Sequence, residues 1–347
     1  MITFAPGKLV LTGAYAVLEG APAIVVATSR GAYADSSRSA LTPTPEVRAA
    51  LGEDAVAPHT DASSMFVGAR KLGLGASSAI LVASLAALEA DAGADLSDPR
   101  VREGIFSRAR AAHAAAQGGG SGVDIAASVH GGAIQYTIDA PVQRVSLPSG
   151  LGIEVFACGT SARTSELRAE IDRLASTNAS AHRTCMNELV TTANIAARAV
   201  QAGNATAFVE ALRRTARGLA RLGTAAQVGI VPPDFDSLEA IAAHEGASFS
   251  VSGAGGGDVA VYIGPAKPSP AFMTRAHALG LFALPLTLDV QGVRLARETR
   301  ASASVRTTRS EVDRRSTSST TLGHSPQPVS GRFPEPSPEE GRRPSLK

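Results

Sequence analysis

The chain has 347 residues, 44% of them hydrophobic and 18% charged, which suits a sizeable buried core divided between two lobes. No apolar run reaches the roughly 20 residues of a membrane-spanning helix, and residues 1–8 lack the basic opening and long apolar middle of a secretion signal, so a cytoplasmic location with no membrane partner is expected. The net charge of +2 is uneven: from Thr299 onward nine Lys or Arg face five Asp or Glu, leaving 24 against 26 before it, and with no tryptophan such a body excludes a nucleic-acid partner.

Two cysteines, Cys158 and Cys185, are too few for a disulfide framework and lack the paired spacing of a zinc site, so both are expected reduced and structural. Lysine occurs only at Lys8, Lys71, Lys267 and Lys347 in a chain that otherwise uses arginine, and two of these four fall inside the motifs below. A compact ammonium in place of a planar fork marks those positions, unless the bias is chance.

In chain order, short apolar runs at 8–12, 24–27 and 32–35 predict strands joined by tight turns. Apolar residues recurring at three and four predict helices over 79–94 and 101–116, and a third beginning over 123–129. Strand-like runs at 151–157, 248–252, 259–263 and 282–286 alternate with helical stretches between 180 and 222, over 235–244 and over 270–279. This pattern predicts an α+β second lobe with a boundary near 150–165. After about residue 300 the chain is Ser, Thr, Arg and Pro with almost no large apolar residue, a composition expected to be disordered and removable without loss of folding.

Three glycine-rich segments carry candidate chemistry. In Lys71-Leu72-Gly73-Leu74-Gly75-Ala76-Ser77-Ser78-Ala79, small residues precede a helix whose first amides lack internal partners, an arrangement that cradles a phosphate. The Ser77 and Ser78 hydroxyls would add hydrogen bonds or a hard oxygen for Mg²⁺. A plain turn and helix cap reads equally well. The second segment, Ala116-Gln117-Gly118-Gly119-Gly120-Ser121-Gly122-Val123-Asp124, marks a sharp bend or a close ligand, with Asp124 either orienting an attacking group or serving as an N-terminal charge. The third, Ser250-Val251-Ser252-Gly253-Ala254-Gly255-Gly256-Gly257-Asp258, lies between strand-like runs and forms a hairpin or a backbone nest for phosphates. Near the start, Pro6-Gly7-Lys8 opens a strand, so Lys8 points into a cleft or is simply solvated.

Together and in this order, these segments resemble the GHMP kinase superfamily, named for galacto-, homoserine, mevalonate and phosphomevalonate kinases. Residues 6–18 resemble its first motif, Gly73 to Ala79 its second, the ATP phosphate loop, and Ser252 to Asp258 its third, with similarity over about 1–290. Tyr15-Ala16-Val17-Leu18, Lys71, residues 113–124 and Gly159-Thr160-Ser161-Ala162-Arg163-Thr164 are similar to the phosphomevalonate kinase branch.

The resemblance implies an α+β, two-lobed fold, with a ribosomal protein S5 domain 2-like N-terminal lobe over 1–160 and a ferredoxin-like C-terminal lobe over 161–298, followed by the tail. It implies ATP and Mg²⁺ as cofactors, a small phosphorylated acceptor, and a monomer or homodimer. The expected reaction is ATP-dependent conversion of mevalonate 5-phosphate to mevalonate 5-diphosphate, with mevalonate kinase or diphosphomevalonate decarboxylase activity, or a non-catalytic binding role, as alternatives. Lys8 and Asp124 would be the catalytic pair. Gly73, Leu74, Gly75, Ala76, Ser77, Ser78 and Ala79 would hold ATP, with Ser77 also touching the metal. Ser121, Gly122, Arg163, Ser252, Gly253, Ala254 and Gly255 would line the acceptor site, with Arg70 a further candidate for its charge. The chain departs from the family at Ala14, where an acid is usual, at Ala76, commonly serine, and at Gly118-Gly119-Gly120, which lacks a lysine often found beside this Gln-Gly. His113 also stands where mevalonate kinases place a glutamate that binds metal.

Overall fold

The computed structural model describes residues 1–159 and 164–296. Arg163 and the expected tail lie outside the described residues.

Within the unit Met1–Ala296 the elements run β1 (Ile2–Thr12), β2 (Ala23–Ser39), α1 (Pro45–Leu51), β3 (Pro58–Asp61), β4 (Phe66–Val67), β5 (Arg70–Lys71), α2 (Ala76–Asp91), α3 (Pro99–Gln117), α4 (Val123–His130), β6 (Ala133–Tyr136) and β7 (Gln143–Val145). They continue with β8 (Gly152–Ala157), α5 (Thr164–Thr177), α6 (Ala179–Gln201), α7 (Ala205–Ala226), α8 (Phe235–His244), β9 (Ser248–Val251), β10 (Val259–Gly264), α9 (Pro270–Ala278), β11 (Phe282–Leu284) and β12 (Arg294–Leu295). One sheet has the order β12-β1-β2-β6-β7 with β3 added on β2, and a second has the order β11-β8-β10-β9. The chain is α+β, as expected.

Strand β1 is buried from Thr3 onward because both faces are covered: α2 and α4 pack against it, and its other face belongs to a second apolar cluster reaching Val259 and Val261 of β10. A strand enclosed on both sides holds its side chains to fixed directions, which matters for the one lysine it carries. The two strands expected over 24–27 and 32–35 are a single one, β2. Pro6 pairs with Gly31 but Gly7 pairs with Thr28, so Ser29 and Arg30 form a bulge in place of a turn. A β-carbon at Gly31 would lie 2.2 Å from the Ala5 carbonyl oxygen, so only glycine lets the strands close up again past the bulge.

Helix α2 is buried along most of its length, consistent with its Ala- and Leu-rich sequence, and it leans on β1, β2 and α3. Asp98 caps α3 by accepting from the Arg100 amide, Pro99 opens it, and Gly118 in the left-handed region ends it. The long helical stretch after 180 divides into α6 and α7, where Asn204 accepts from the Ala207 amide and starts a new helix. Cys158 is a buried free thiol pushed up to about 12 by burial, and Cys185 is a half-buried one. Among the described residues no helix is long and apolar enough to cross a membrane.

At the end of α4, His130 is packed beside Phe106 with no partner for its Nε2, and burial together with the Arg102 and Arg144 charges pushes its pKa down to about 4. An unfolded histidine titrates near 6.5. Between these values the unfolded chain binds a proton that the native one refuses, so stability is full above about pH 6.5 and falls as pH drops toward about 4. Going from pH 7 to pH 5 should cost about 1 to 2 kcal/mol. Urea midpoints measured across that range should slope downward in the native protein and flatten in His130→Leu; equal slopes would show that this histidine does not carry the effect.

Candidate active site

The geometry of the cleft is organised around Lys8. The residue is 8% exposed, its backbone amide donates to the Leu74 carbonyl at 2.9 Å, and its Nζ donates to the Gly73 carbonyl at 3.1 Å. The approach of the two segments depends on Gly7, where a β-carbon would stand 2.6 Å from the Leu74 oxygen. Thus the glycine-rich loop before α2 is docked on β1 through backbone contacts, and the lysine is fastened by the loop it faces.

That loop enters α2 through Gly75, which is left-handed at φ 80° and provides no side-chain cap. The first amides of a 16-residue helix are therefore uncapped by a side chain, with the positive end of the dipole beside Gly75. A β-carbon at Gly75 would be 3.2 Å from Lys8 Cγ and 3.4 Å from Asp124 Oδ2. Asp124, in the first turn of α4, places Oδ1 3.8 Å from Lys8 Nζ, and α4 also starts from an uncapped left-handed glycine, Gly122. The expected pair does converge. Ser128 of the same helix donates to the Pro6 carbonyl at 2.7 Å, which ties α4 to the start of the lysine strand.

The third glycine segment closes the circle. Ser252 Oγ accepts from the Val10 amide at 3.0 Å, Tyr15 donates to the Ala254 carbonyl at 2.6 Å, and a β-carbon at Gly253 would lie 3.6 Å from Lys8 Nζ. Gly255 packs on the Ile230 carbonyl, which also accepts from the Gly256 amide at 2.8 Å. The segment joins β9 to β10, the hairpin connection considered from the sequence, and it also brings Gly253 to Lys8.

The other expected residues have distinct surroundings. Ser77 is half-buried in the first turn of α2, whereas Ser78 is fully buried with an unpartnered Oγ, and the side chains of Leu74 and Ala79 belong to the core. Of these four, only Ser77 is not buried. Ser121 gives its carbonyl to Tyr136 and its hydroxyl to the Val123 amide at 3.4 Å, and Gly122 is buried beneath it. Arg70 lies over the Phe282 ring, 5.7 Å from its centroid. Ala14 is packed in the apolar core.

Residues that the sequence analysis did not single out as ligands also meet here. Asp258 lies against Gly73, where a β-carbon would be 2.4 Å from its own, so the last residue of the third segment fits the space a glycine leaves in the loop before α2. Arg110 donates to Asp139 at 2.7 Å beside Gly122, and Glu46 accepts from Gln117 at 2.7 Å. Burial raises the Glu46 pKa, but hydrogen bonds from Gln117, its own backbone and Thr44 outweigh it and hold the group below the ordinary carboxylate range. Among the described residues no cluster of three His, Cys, Asp or Glu could hold a metal on its own.

Over 252 residues the chain is 31% identical to the phosphomevalonate kinase of Streptomyces sp. (strain CL190), a match covering 65% of this chain and 66% of that enzyme. The chain belongs to the GHMP kinase superfamily. A crystal structure of the Lin0012 protein from Listeria innocua superposes with a TM-score of 0.72 at 22% identity, over 85% of this chain and 99% of that one. Streptococcus pneumoniae phosphomevalonate kinase, solved with phosphomevalonate and AMPPNP, superposes with a TM-score of 0.67 at 19% identity, over 83% and 99%. No family model matches the chain.

Gly73→Ala should cost roughly 2 kcal/mol or more, because the residue is left-handed at φ 66° and its new methyl would collide with Asp258. Gly104→Ala, in the interior of α3 with open space around it, should be neutral or stabilising by up to about 1 kcal/mol. Urea denaturation of the pair, with calorimetry of Mg·ATP binding, checks the claim; equal stabilities would show that the loop has slack.

Proposed function

We propose that the chain transfers the γ-phosphoryl group of ATP to the phosphate of mevalonate 5-phosphate, giving mevalonate 5-diphosphate and ADP. The observation that carries this reading is a buried ammonium, Lys8 Nζ, fixed between an uncapped helix start and a carboxylate 3.8 Å away. The similarity to the Streptomyces phosphomevalonate kinase supports the choice of acceptor.

In this reading ATP enters as its magnesium complex. Its phosphates lie along the amides that open α2, and the Ser77 hydroxyl and Asp124 carboxylate are oxygen donors of the kind magnesium takes alongside phosphate. An oxygen of the acceptor phosphate attacks the γ-phosphorus, the bond to the β–γ bridging oxygen breaks, and the electron pair leaves on ADP. The difficulty is electrostatic, since two polyanions must meet. Lys8 offsets charge on the transferring group from a buried position, where a fixed cation acts more strongly than in bulk. Gly73, by accepting from Nζ, keeps that cation from following either reactant.

Asp124 has a narrower task than a general base. A phosphate monoester loses its second proton near pH 6, so at neutral pH the attacking oxygen carries none to remove. The carboxylate holds Lys8 and the metal side of the site in register. The two lobes, taken as 1–160 and 161–298, contribute the phosphate loop with the catalytic pair and the third glycine segment, respectively.

Purified protein with Mg·ATP should release ADP at least tenfold faster with mevalonate 5-phosphate than with mevalonate, and phosphorus NMR should show a new diphosphate. A preference for mevalonate would overturn the choice of acceptor. Lys8→Ala and Asp124→Ala should each lower turnover by about a hundredfold or more, and retained activity in either would remove that residue from the mechanism. The kcat/KM profile should fall below about pH 6 with the ionisation of the acceptor and stay level through pH 8. A rise that continued past neutrality would mean that a proton is being removed by the enzyme.

A further inference from the structure

The loop 118–120 is bare backbone. Its three glycines have φ of 68°, 118° and 151°, values that other residues rarely adopt, so the loop carries no side chain of its own, and a β-carbon at Gly120 would lie 3.5 Å from His113 Nδ1. A second group from elsewhere in the chain stands beside Gly119. A β-carbon at Gly119 would lie 3.6 Å from Nη1 and 4.0 Å from Nη2 of Arg168, on α5. The guanidinium therefore presents its two terminal nitrogens to the loop, side by side.

Arg168 at Gly119 and Arg110 at Gly122 border this stretch, and they differ in what they hold. Arg110 is committed to Asp139 at 2.7 Å. Arg168 meets Asp172 only through Nε at 3.9 Å, too far for a hydrogen bond, and its side chain is 41% exposed. A half-exposed ion pair at that distance contributes little. What remains is a planar fork beside a glycine floor that His113 borders at Gly120, and such a fork matches a carboxylate or phosphate in shape and charge.

We infer that Arg168 receives the carboxylate of the acceptor over the loop 118–120, and so selects a substrate that is anionic at both ends. The inference rests on the proposed function. If the reacting phosphate must stand at Lys8, the acceptor's carboxylate, at the opposite end of a five-carbon chain, is the anion left to be recognised. A fork on a neighbouring helix suits it because two parallel hydrogen bonds fix orientation as well as charge.

The test uses the full chain and variants Arg168→Ala and Arg168→Lys. Kinetics with mevalonate 5-phosphate should show KM raised tenfold or more in Arg168→Ala with kcat changed less than threefold, and Arg168→Lys should recover part of the loss. Calorimetry in the presence of a non-hydrolysable Mg·ATP analogue then separates the two ends of the acceptor. Mevalonate, which has the carboxylate but no phosphate, should bind at least tenfold more weakly to Arg168→Ala, while pentyl phosphate, which has the phosphate but no carboxylate, should bind unchanged. Loss confined to pentyl phosphate would overturn the carboxylate assignment, and an unchanged KM would overturn any acceptor role for Arg168. Failure of the native protein to turn over mevalonate 5-phosphate while binding Mg·ATP would instead overturn the proposed function itself, and the inference with it; that outcome is visible before any variant is made.

Discussion

The bond from Lys8 Nζ to the Gly73 carbonyl is the constraint on which the site depends. A lysine on an open strand would swing through many rotamers, and its charge would move with whatever anion arrived. Here the strand is covered on both faces, the amide of the same residue is bonded to Leu74, and the ammonium is fixed by the next carbonyl along. The cation is thereby set in place before substrate arrives, so little reorganisation is needed during the reaction.

The three glycine segments have three different jobs around that fixed charge. The one before α2 needs glycine at Gly73 and Gly75 because both are left-handed and both lie against acidic or cationic side chains, Asp258 in one case and Lys8 with Asp124 in the other. The one before α4 needs it because Gly118, Gly119, Gly120 and Gly122 all have positive φ. The third needs it at Gly255, where a β-carbon would come within 2.2 Å of the Ile230 carbonyl oxygen. Close approach explains Gly73, Gly75 and Gly255, and positive φ explains the run before α4.

Much of this was legible in the sequence. Glycine runs next to helix starts are conspicuous, and the alternation of apolar residues placed α2, α3, α8 and α9 within a few residues of their observed ends. Helix α5 was passed over because its buried residues, Leu167, Ile171 and Leu174, are sparse in a charged stretch, although their spacing of four and three is helical. The single strand β2 was read as two because its bulge at Ser29 and Arg30 resembles a turn when its partner strand is out of view. The hydroxyl of Ser252, a candidate for the acceptor site, accepts from the Val10 amide and ties together segments 242 residues apart, a contact that no local pattern signals. No local pattern identifies Arg168 either, since it gains meaning only from a loop about fifty residues earlier that packing brings beneath it.

The central claim is that nucleotide phosphates lie between the opening turn of α2 and the Lys8 ammonium. A crystal structure with a non-hydrolysable Mg·ATP analogue and mevalonate 5-phosphate addresses it most directly. The account predicts a γ-phosphate oxygen about 3 Å from Lys8 Nζ, with the other phosphates on the amides of α2. A triphosphate bound away from that helix, or Lys8 turned from it, would contradict the account.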